Sequence, residues 1–449
     1  MQKSIFKGSS VSNKMIWNIA YSIILGNLAQ TIVSLTDTAF LGRLGEVELG
    51  ASAMSGIYYY FFTTLAWGFA VGVQVIVARR YGESNFGKIG TILGHGFIFV
   101  LAFACLMFSV INFLSPVFLR SVITSDNIYR VSIEYLSVRG YGIFFASINF
   151  MFRSFYIGIS STKSISYSTL LMAIVNTLLD WALIFGTPFN EAMGVKGAAA
   201  ASVCAEISAT LFFIFYTRIT NPIKGYKLFE GFHFDFSILR NILRLSISTT
   251  MQKFLSFGSW LVFFFMIESM GERPLAITMV IRSVFMLISI PAFALGATSN
   301  TLTSRLIGEG RAKEVLPTIW KVVRMSFIIT APLVLFVAIF PQLCLNVYTD
   351  NPEIIVSAIP LVYLICFSAY AFALAMPFFE GVSGTGYTQF ALYLEALIIM
   401  LYIFAIWFFA KGINAGLIWV WTSEIIYSGS LAIVSILFMK YYKWGKRSV

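Results

Sequence analysis

Long uninterrupted runs of apolar residues make up most of the chain, and short segments rich in charges and turn residues separate them. Several runs exceed the roughly 20 residues that an α-helix needs to cross the core of a bilayer. Reading each run as one helix predicts twelve membrane spans. The predicted spans are residues 14–41, 50–78, 91–117, 131–156, 163–187, 196–217, 239–269, 274–304, 317–346, 356–379, 388–410 and 413–439.

This pattern predicts an all-α, polytopic membrane protein that is divided into two lobes of six helices. We expect an N-terminal lobe at residues 1–217 and a C-terminal lobe at residues 237–449. The polar stretch between them, residues 218–236, is the expected cytoplasmic linker.

Short motifs recur in the same order in both halves, which indicates an internal repeat. The segment Phe69–Gly72 in the first half matches Phe293–Gly296 in the second. Glu206 and Glu424 occupy matching positions near the end of each half. Six spans per half place both halves in the same orientation, so the repeat is parallel and related by an axis along the membrane normal. Such a duplication favours a central cavity that opens alternately to either side of the membrane.

Composition excludes an ordinary soluble protein, since 58% of residues are hydrophobic, only 11% are charged, and the mean hydropathy is +0.84. If both termini lie in the cytoplasm, the segments on the cytoplasmic side hold roughly three times as many lysines and arginines as the segments on the outer side. Membrane proteins show this excess of positive residues on the cytoplasmic side. The outward set includes Arg139. The net charge of +11 therefore reflects topology and predicts no nucleic-acid partner. We expect a multi-pass protein of the bacterial inner membrane.

Two aspartates in apolar helices of the first half are the strongest candidates for function. An ionised carboxylate in such a setting costs roughly 3 kcal/mol or more, so it is retained mainly where it faces a cavity or a partner. Asp37 lies in the first span, two turns after Gln30 on the same face. Asp180 lies in the fifth span, one turn after Asn176. Asn176 and Asp180 offer oxygens to a hard cation such as sodium, and either aspartate could carry a proton instead.

The second half lacks this acid pair, because Ile399 and Ile403 stand near the matching positions. Its seventh span carries Gln252 and Lys253, and its eighth carries Arg282. The acids available to pair with these cations are Glu380, Glu395 and Glu424. We therefore expect ion coupling in the N-terminal lobe. Candidates for the substrate cavity are Gln30, Gln252, Lys253, Arg282 and Glu380.

Four motifs resemble the multidrug and toxic compound extrusion (MATE) family, and the resemblance covers essentially the whole chain. They are Ser34–Gly45, the stretch Gly72–Gly82, the pair Asn176 and Asp180, and Gly194–Ala199. An acid in the first helix combined with this pair resembles the prokaryotic DinF-like branch. The resemblance implies twelve helices in two lobes, and efflux of organic compounds driven by inward flow of protons or sodium ions.

Two other function classes compete with this interpretation. A membrane aspartyl protease needs sequence motifs around its two acids that neither Asp37 nor Asp180 matches, so we do not expect an enzyme. A flippase for lipids or lipid-linked sugars from the same superfamily is the alternative, because Lys253 and Arg282 suit a cationic cavity. We expect a monomer that contacts membrane lipid and small organic substrates and needs no cofactor besides the coupling ion.

Overall fold

The computed structural model describes residues 11–188, 191–220, 225–228, 234–349 and 351–444. Within these ranges nearly every residue is helical. The first half contains α1 (Asn13–Gly42), α2 (Glu46–Gly82), α3 (Phe86–Ser109), α4 (Ser115–Val122), α5 (Asp126–Arg139), α6 (Gly142–Gly158), α7 (Lys163–Phe185) and α8 (Val195–Ile219). The second half contains α9 (Phe236–Glu268), α10 (Glu272–Gly308), α11 (Val315–Ile339), α12 (Pro341–Asn346), α13 (Pro352–Gly384), α14 (Thr388–Trp407), α15 (Leu417–Trp421) and α16 (Ser423–Tyr441).

Eleven helical segments in the described ranges are long and apolar enough to cross a membrane. The predicted fourth span is divided, because the helical hydrogen bonding changes at Gly140 and Tyr141, between α5 and α6. Gly142 sits directly against the side chains of Arg139 and Glu206, which leaves no room for a Cβ atom. The predicted all-α, multi-spanning fold is confirmed, and the region of the predicted fourth span consists of two consecutive helices, α5 and α6.

The chain divides into two compact units, and the divisions fall inside α1 and α9 rather than between helices. One unit contains Leu25–Thr250, and the other contains Met251–Val449 together with the chain up to Ile24. The predicted linker at 218–236 lies partly outside the described residues, at 221–224 and 229–233.

In the first unit, two glycines on α2 allow the first half of α9 to pack closely. A Cβ atom at Gly68 would lie 2.6 Å from the Thr250 Cα, and one at Gly72 would lie 2.5 Å from the Ser246 Cα. The Thr249 hydroxyl donates a 2.7 Å hydrogen bond to the Gly68 carbonyl oxygen. The two glycines are four residues apart, the small-residue spacing that brings membrane helices into close contact.

In the second unit, an apolar core surrounds the fully buried Trp421. Its ring packs edge-on against Phe263 at 5.2 Å, and its indole N–H donates to the Thr278 hydroxyl at 3.3 Å. The first residues of the described chain also belong here, since the Lys321 ammonium donates to the Val11 carbonyl oxygen at 3.0 Å. Helices from the beginning and the end of the sequence therefore share this unit.

Candidate cation site and the buried ion pairs

Asp37 lies in the last two turns of α1, between two threonines whose hydroxyl groups form hydrogen bonds within the helix. The hydroxyls of Thr36 and Thr38 donate to the backbone carbonyls of Ile32 and Ser34, at 3.0 and 2.8 Å. They are therefore engaged within α1 rather than with the carboxyl group. Asp37 Oδ1 is buried and has no hydrogen-bond partner among the described residues.

Asn176 and Asp180 lie one turn apart on α7, so their side chains share a face. They are 1% and 0% exposed. In the described part of the chain, neither side-chain amide atom of Asn176 and neither carboxyl oxygen of Asp180 has a hydrogen-bond partner. α8 packs closely against α7 at Gly197, where a Cβ atom would lie 2.5 Å from the Leu183 carbonyl oxygen.

The carboxyl groups of Asp37 on α1 and Asp180 on α7 are neighbours. With Asn176 they bring together five buried polar atoms that lack hydrogen-bond partners in the described residues. Burying such groups without partners is costly, and in a native structure it often marks a bound ion or water. The donor set consists of two carboxylates and one amide, which suits a proton or a small hard cation.

A buried ion pair in the same unit interacts electrostatically with Asp37. Arg139 binds Glu206 through two hydrogen bonds of 2.6 and 2.9 Å, and its guanidinium group stacks 4.0 Å over the Tyr59 ring. It also donates to the Tyr59 hydroxyl at 3.1 Å, and its positive charge interacts with the Asp37 carboxyl group. Bidentate pairing of this kind fixes both side chains.

The role of Arg139 was not predicted from the sequence. The charge count treats it as one of the loop cations that set the orientation, whereas the structure makes it the buried partner of Glu206. Its position inside the predicted span 131–156 is the signal that could have identified it. An arginine within an apolar run requires a buried acid or a route to water.

The structure also pairs the two intramembrane cations of the second unit, which the sequence left without assigned partners. The Lys253 ammonium lies 3.3 Å from Glu380 Oε1, and Asn300 donates to Glu380 Oε2 at 3.0 Å. Arg282 lies 3.1 Å from Glu424 Oε1, which also accepts a 2.7 Å hydrogen bond from the Tyr402 hydroxyl. Both cations are therefore neutralised by an acid from another helix.

The two glutamines among the cavity candidates have different surroundings. Gln252 is 3% exposed and donates to the Thr388 carbonyl oxygen at 3.1 Å, so it ties α9 to α14. Gln30 is exposed on α1. The assignment of either residue to a substrate cavity stays a prediction.

The matching acids Glu206 and Glu424 bind arginines that come from different helices. Glu206 pairs with Arg139 at the end of α5, in the fourth predicted span of its half. Glu424 pairs with Arg282 on α10, the second helix of its half. The acid is repeated between the halves, but the position that supplies its cation is not.

Comparison with known proteins identifies one family. The sequence profile of the MatE family matches the chain twice, at residues 22–182 and at residues 249–408. A protein of Thermotoga maritima described as "Probable multidrug resistance protein NorM" is 25% identical over 435 residues, covering 94% of this chain and 91% of its own length. A protein of Bacillus subtilis described as "Probable multidrug resistance protein YoeA" is 22% identical, covering 95% of this chain and 93% of its own length.

Solved structures show the same fold. One is described as the outward-facing conformation of a multidrug resistance MATE family transporter of the MOP superfamily, with a TM-score of 0.88 and 20% identity. Another is a MOP superfamily transporter from Pyrococcus furiosus, with a TM-score of 0.87 and 19% identity. That protein is described as having a binding pocket of reverse polarity. Each comparison covers 95% of this chain and 95% of the other chain.

Proposed function

Because the chain belongs to the MatE family, whose profile matches both of its halves, we propose that it exports organic compounds in exchange for protons or sodium ions. It is a multi-pass membrane transporter of the multidrug efflux type and not an enzyme. The observation that carries the exchange mechanism is the group of buried polar atoms on Asp37, Asn176 and Asp180 that have no hydrogen-bond partner in the described residues.

The chemistry of this group supports a coupling switch. Two neighbouring carboxylates repel each other when both are charged, and one proton or one sodium ion relieves that repulsion. A proton would bind to one of the carboxyl groups of Asp37 and Asp180. A sodium ion would take oxygens from both carboxyl groups and from the Asn176 amide. In either case the net charge carried by α1 and α7 changes by one unit, which alters the relative stability of two conformations.

A transporter of this kind works if the coupling ion and the substrate favour different conformations of the protein. Entry of the ion from outside would drive the change that releases the organic compound. We place the protein in the bacterial inner membrane, as a monomer with both termini in the cytoplasm. Its expected substrates are small organic molecules that are cationic or amphipathic.

The ion pairs of Lys253 and Arg282 in the second unit disfavour the alternative function of a flippase. That alternative depended on Lys253 and Arg282 making a cationic cavity. Each of them instead contacts a carboxylate, Glu380 and Glu424, which offsets its charge. An anionic lipid headgroup would have to compete with these buried acids for the two cations, so export of organic compounds is the better supported function.

Purified protein in liposomes tests the proposal directly. A proton gradient and a sodium gradient are imposed separately, and the movement of ethidium is followed by its fluorescence. We expect one of the two gradients to drive ethidium transport in the wild-type protein and neither to drive it in Asp37→Asn. The matched control is Asp126→Asn, the same change at an exposed aspartate of the same unit. Equal transport by Asp37→Asn and wild type would disprove the assignment.

A further inference from the structure

A second group of ionisable side chains lies in the other unit, around Glu395 on α14. This side chain is 3% exposed. Its Oε1 accepts a hydrogen bond from the Ser256 hydroxyl on α9. Its Oε2 is buried and has no hydrogen-bond partner in the described residues. Half of this carboxyl group is therefore satisfied and the other half is not.

The charges around Glu395 do not balance if it is ionised. Among the described residues, Lys253 on α9 and Glu380 on α13 interact with it electrostatically, and the Tyr427 hydroxyl on α16 lies beside its carboxyl group. Lys253 already contacts Glu380 at 3.3 Å. One ammonium group thus stands beside two carboxylates, and an ionised Glu395 would leave one negative charge uncompensated in the interior. Such a charge is strongly unfavourable inside a protein or a membrane.

Neighbouring cations do not remove this excess. Arg282 on α10 is the other cation close to Tyr427, but it lies 3.1 Å from Glu424. Glu424 also accepts the Tyr402 hydroxyl hydrogen bond at 2.7 Å. Arg282 and Glu424 therefore form a balanced pair, and Lys253, Glu380 and Glu395 form an unbalanced group of three.

We propose that Glu395 is a second proton-binding site, because it shares the single ammonium group of Lys253 with Glu380. A hydronium ion gives its proton to the carboxylate of Glu395, where an O–H bond forms, and leaves as a water molecule; the Lys253 ammonium then compensates Glu380 alone. A proton needs only one oxygen, whereas a metal ion needs several oxygen ligands at once. Within the part of the chain that the structure describes, the acceptor of this carboxyl group without a hydrogen-bond partner is the single atom Oε2. A proton therefore fits this position better than a metal ion does.

The site belongs to the second unit and involves different helices from the pair of aspartates in the first unit. Its existence does not depend on transport. Its use in energy coupling, as a second proton that moves in each cycle, rests on the proposed function. A pH titration of the protein alone therefore tests the site, and a transport assay tests its use.

The titration uses infrared difference spectroscopy of the full-length protein reconstituted in lipid. A buried protonated carboxyl group gives a carbonyl band that disappears when the group ionises. We expect the carbonyl band of Glu395→Gln to be weaker than that of wild type by the contribution of one protonated carboxyl group. Glu353→Gln is the matched control, because Glu353 is an exposed acid of the same unit whose side chain is 77% accessible. Retention of every wild-type band in Glu395→Gln would overturn the proposal.

A second variant keeps the acid and changes only its surroundings, in case Glu395→Gln fails to fold. Ser256→Ala removes the hydrogen bond to Oε1 and should move the pH midpoint of the same band without removing it. An unchanged midpoint in Ser256→Ala would also overturn the proposal. Asp37→Asn separates this site from the proposed function. If that variant still exports ethidium while the Glu395 band persists, the proposed coupling is wrong and the proton site stands.

Discussion

The close contact between α2 and the first half of α9 predicts opposite effects for the same substitution at two glycines of α2. A Cβ atom at Gly72 would lie 2.5 Å from the Ser246 Cα. Non-bonded carbons rest at roughly 3.5–4.0 Å, so Gly72→Ala must push the two helices apart by about 1 Å. No atom outside the helix lies within 4 Å of a Cβ atom placed at Gly56. Gly56→Ala therefore makes the same chemical change without the collision.

The difference between these two variants isolates the cost of the collision. Alanine is better than glycine inside a helix by about 0.5–1 kcal/mol, and this gain applies at both positions. Overpacking a tight contact costs about 1–3 kcal/mol, and this cost applies only at Gly72. We expect Gly56→Ala to be as stable as wild type or more stable, and Gly72→Ala to be less stable than Gly56→Ala by about 1–3 kcal/mol.

Thermal unfolding of the purified proteins in one detergent, followed by tryptophan fluorescence, provides the measurement. The expected order of unfolding midpoints is Gly56→Ala at or above wild type, and Gly72→Ala below both. Equal midpoints for the two variants would refute the argument that glycine at position 72 is required for close packing against Ser246. The measurement needs no substrate, so its outcome is independent of the transport proposal.

Three further predictions concern transport and topology. Asp37→Asn should abolish ion-driven ethidium export while the protein reaches the membrane in normal amounts, and normal drug resistance in cells that carry it would contradict this. Asp180→Asn should change the pH or sodium dependence of efflux, whereas Gln252→Ala should alter substrate affinity more than ion dependence. Both variants are compared by measuring efflux against pH. If Gln252→Ala shifts the pH midpoint and Asp180→Asn does not, the coupling residues lie in the other unit. A reporter that is active only in the periplasm should give no signal when fused after Val449, and a strong signal would mean that a span is miscounted.

Much of the fold follows from the sequence because the bilayer imposes a simple rule. A long apolar run must be a helix, since only a helix satisfies its own backbone in lipid. The first predicted span, residues 14–41, corresponds to α1 at Asn13–Gly42, and the predicted span 163–187 to α7 at Lys163–Phe185. The break between α5 and α6 lies beside Arg139, whose partner Glu206 is on another helix, and the pattern of apolar residues does not show it.

The candidate site was only partly accessible from the sequence. Asp37 and Asp180 stand out because charged residues are rare in apolar runs, and Asn176 follows from helical periodicity. The pairing of Lys253 with Glu380 needed the structure, because three acids were available and each lies more than a hundred residues away in the chain. The unbalanced position of Glu395 appears only after these pairs are known.

The division of α1 and α9 between the two units has a consequence for how the protein is made. The chain up to Ile24 belongs with residues that follow Met251, and residues up to Thr250 belong with the first unit. During synthesis, the first unit therefore lacks the segment that packs on Gly68 and Gly72 until the ribosome has passed position 250. The earliest segment must wait still longer for its own partners, which include Lys321. Inserted helices would thus remain incompletely packed through half of translation, a period in which membrane chaperones and proteases can act on them.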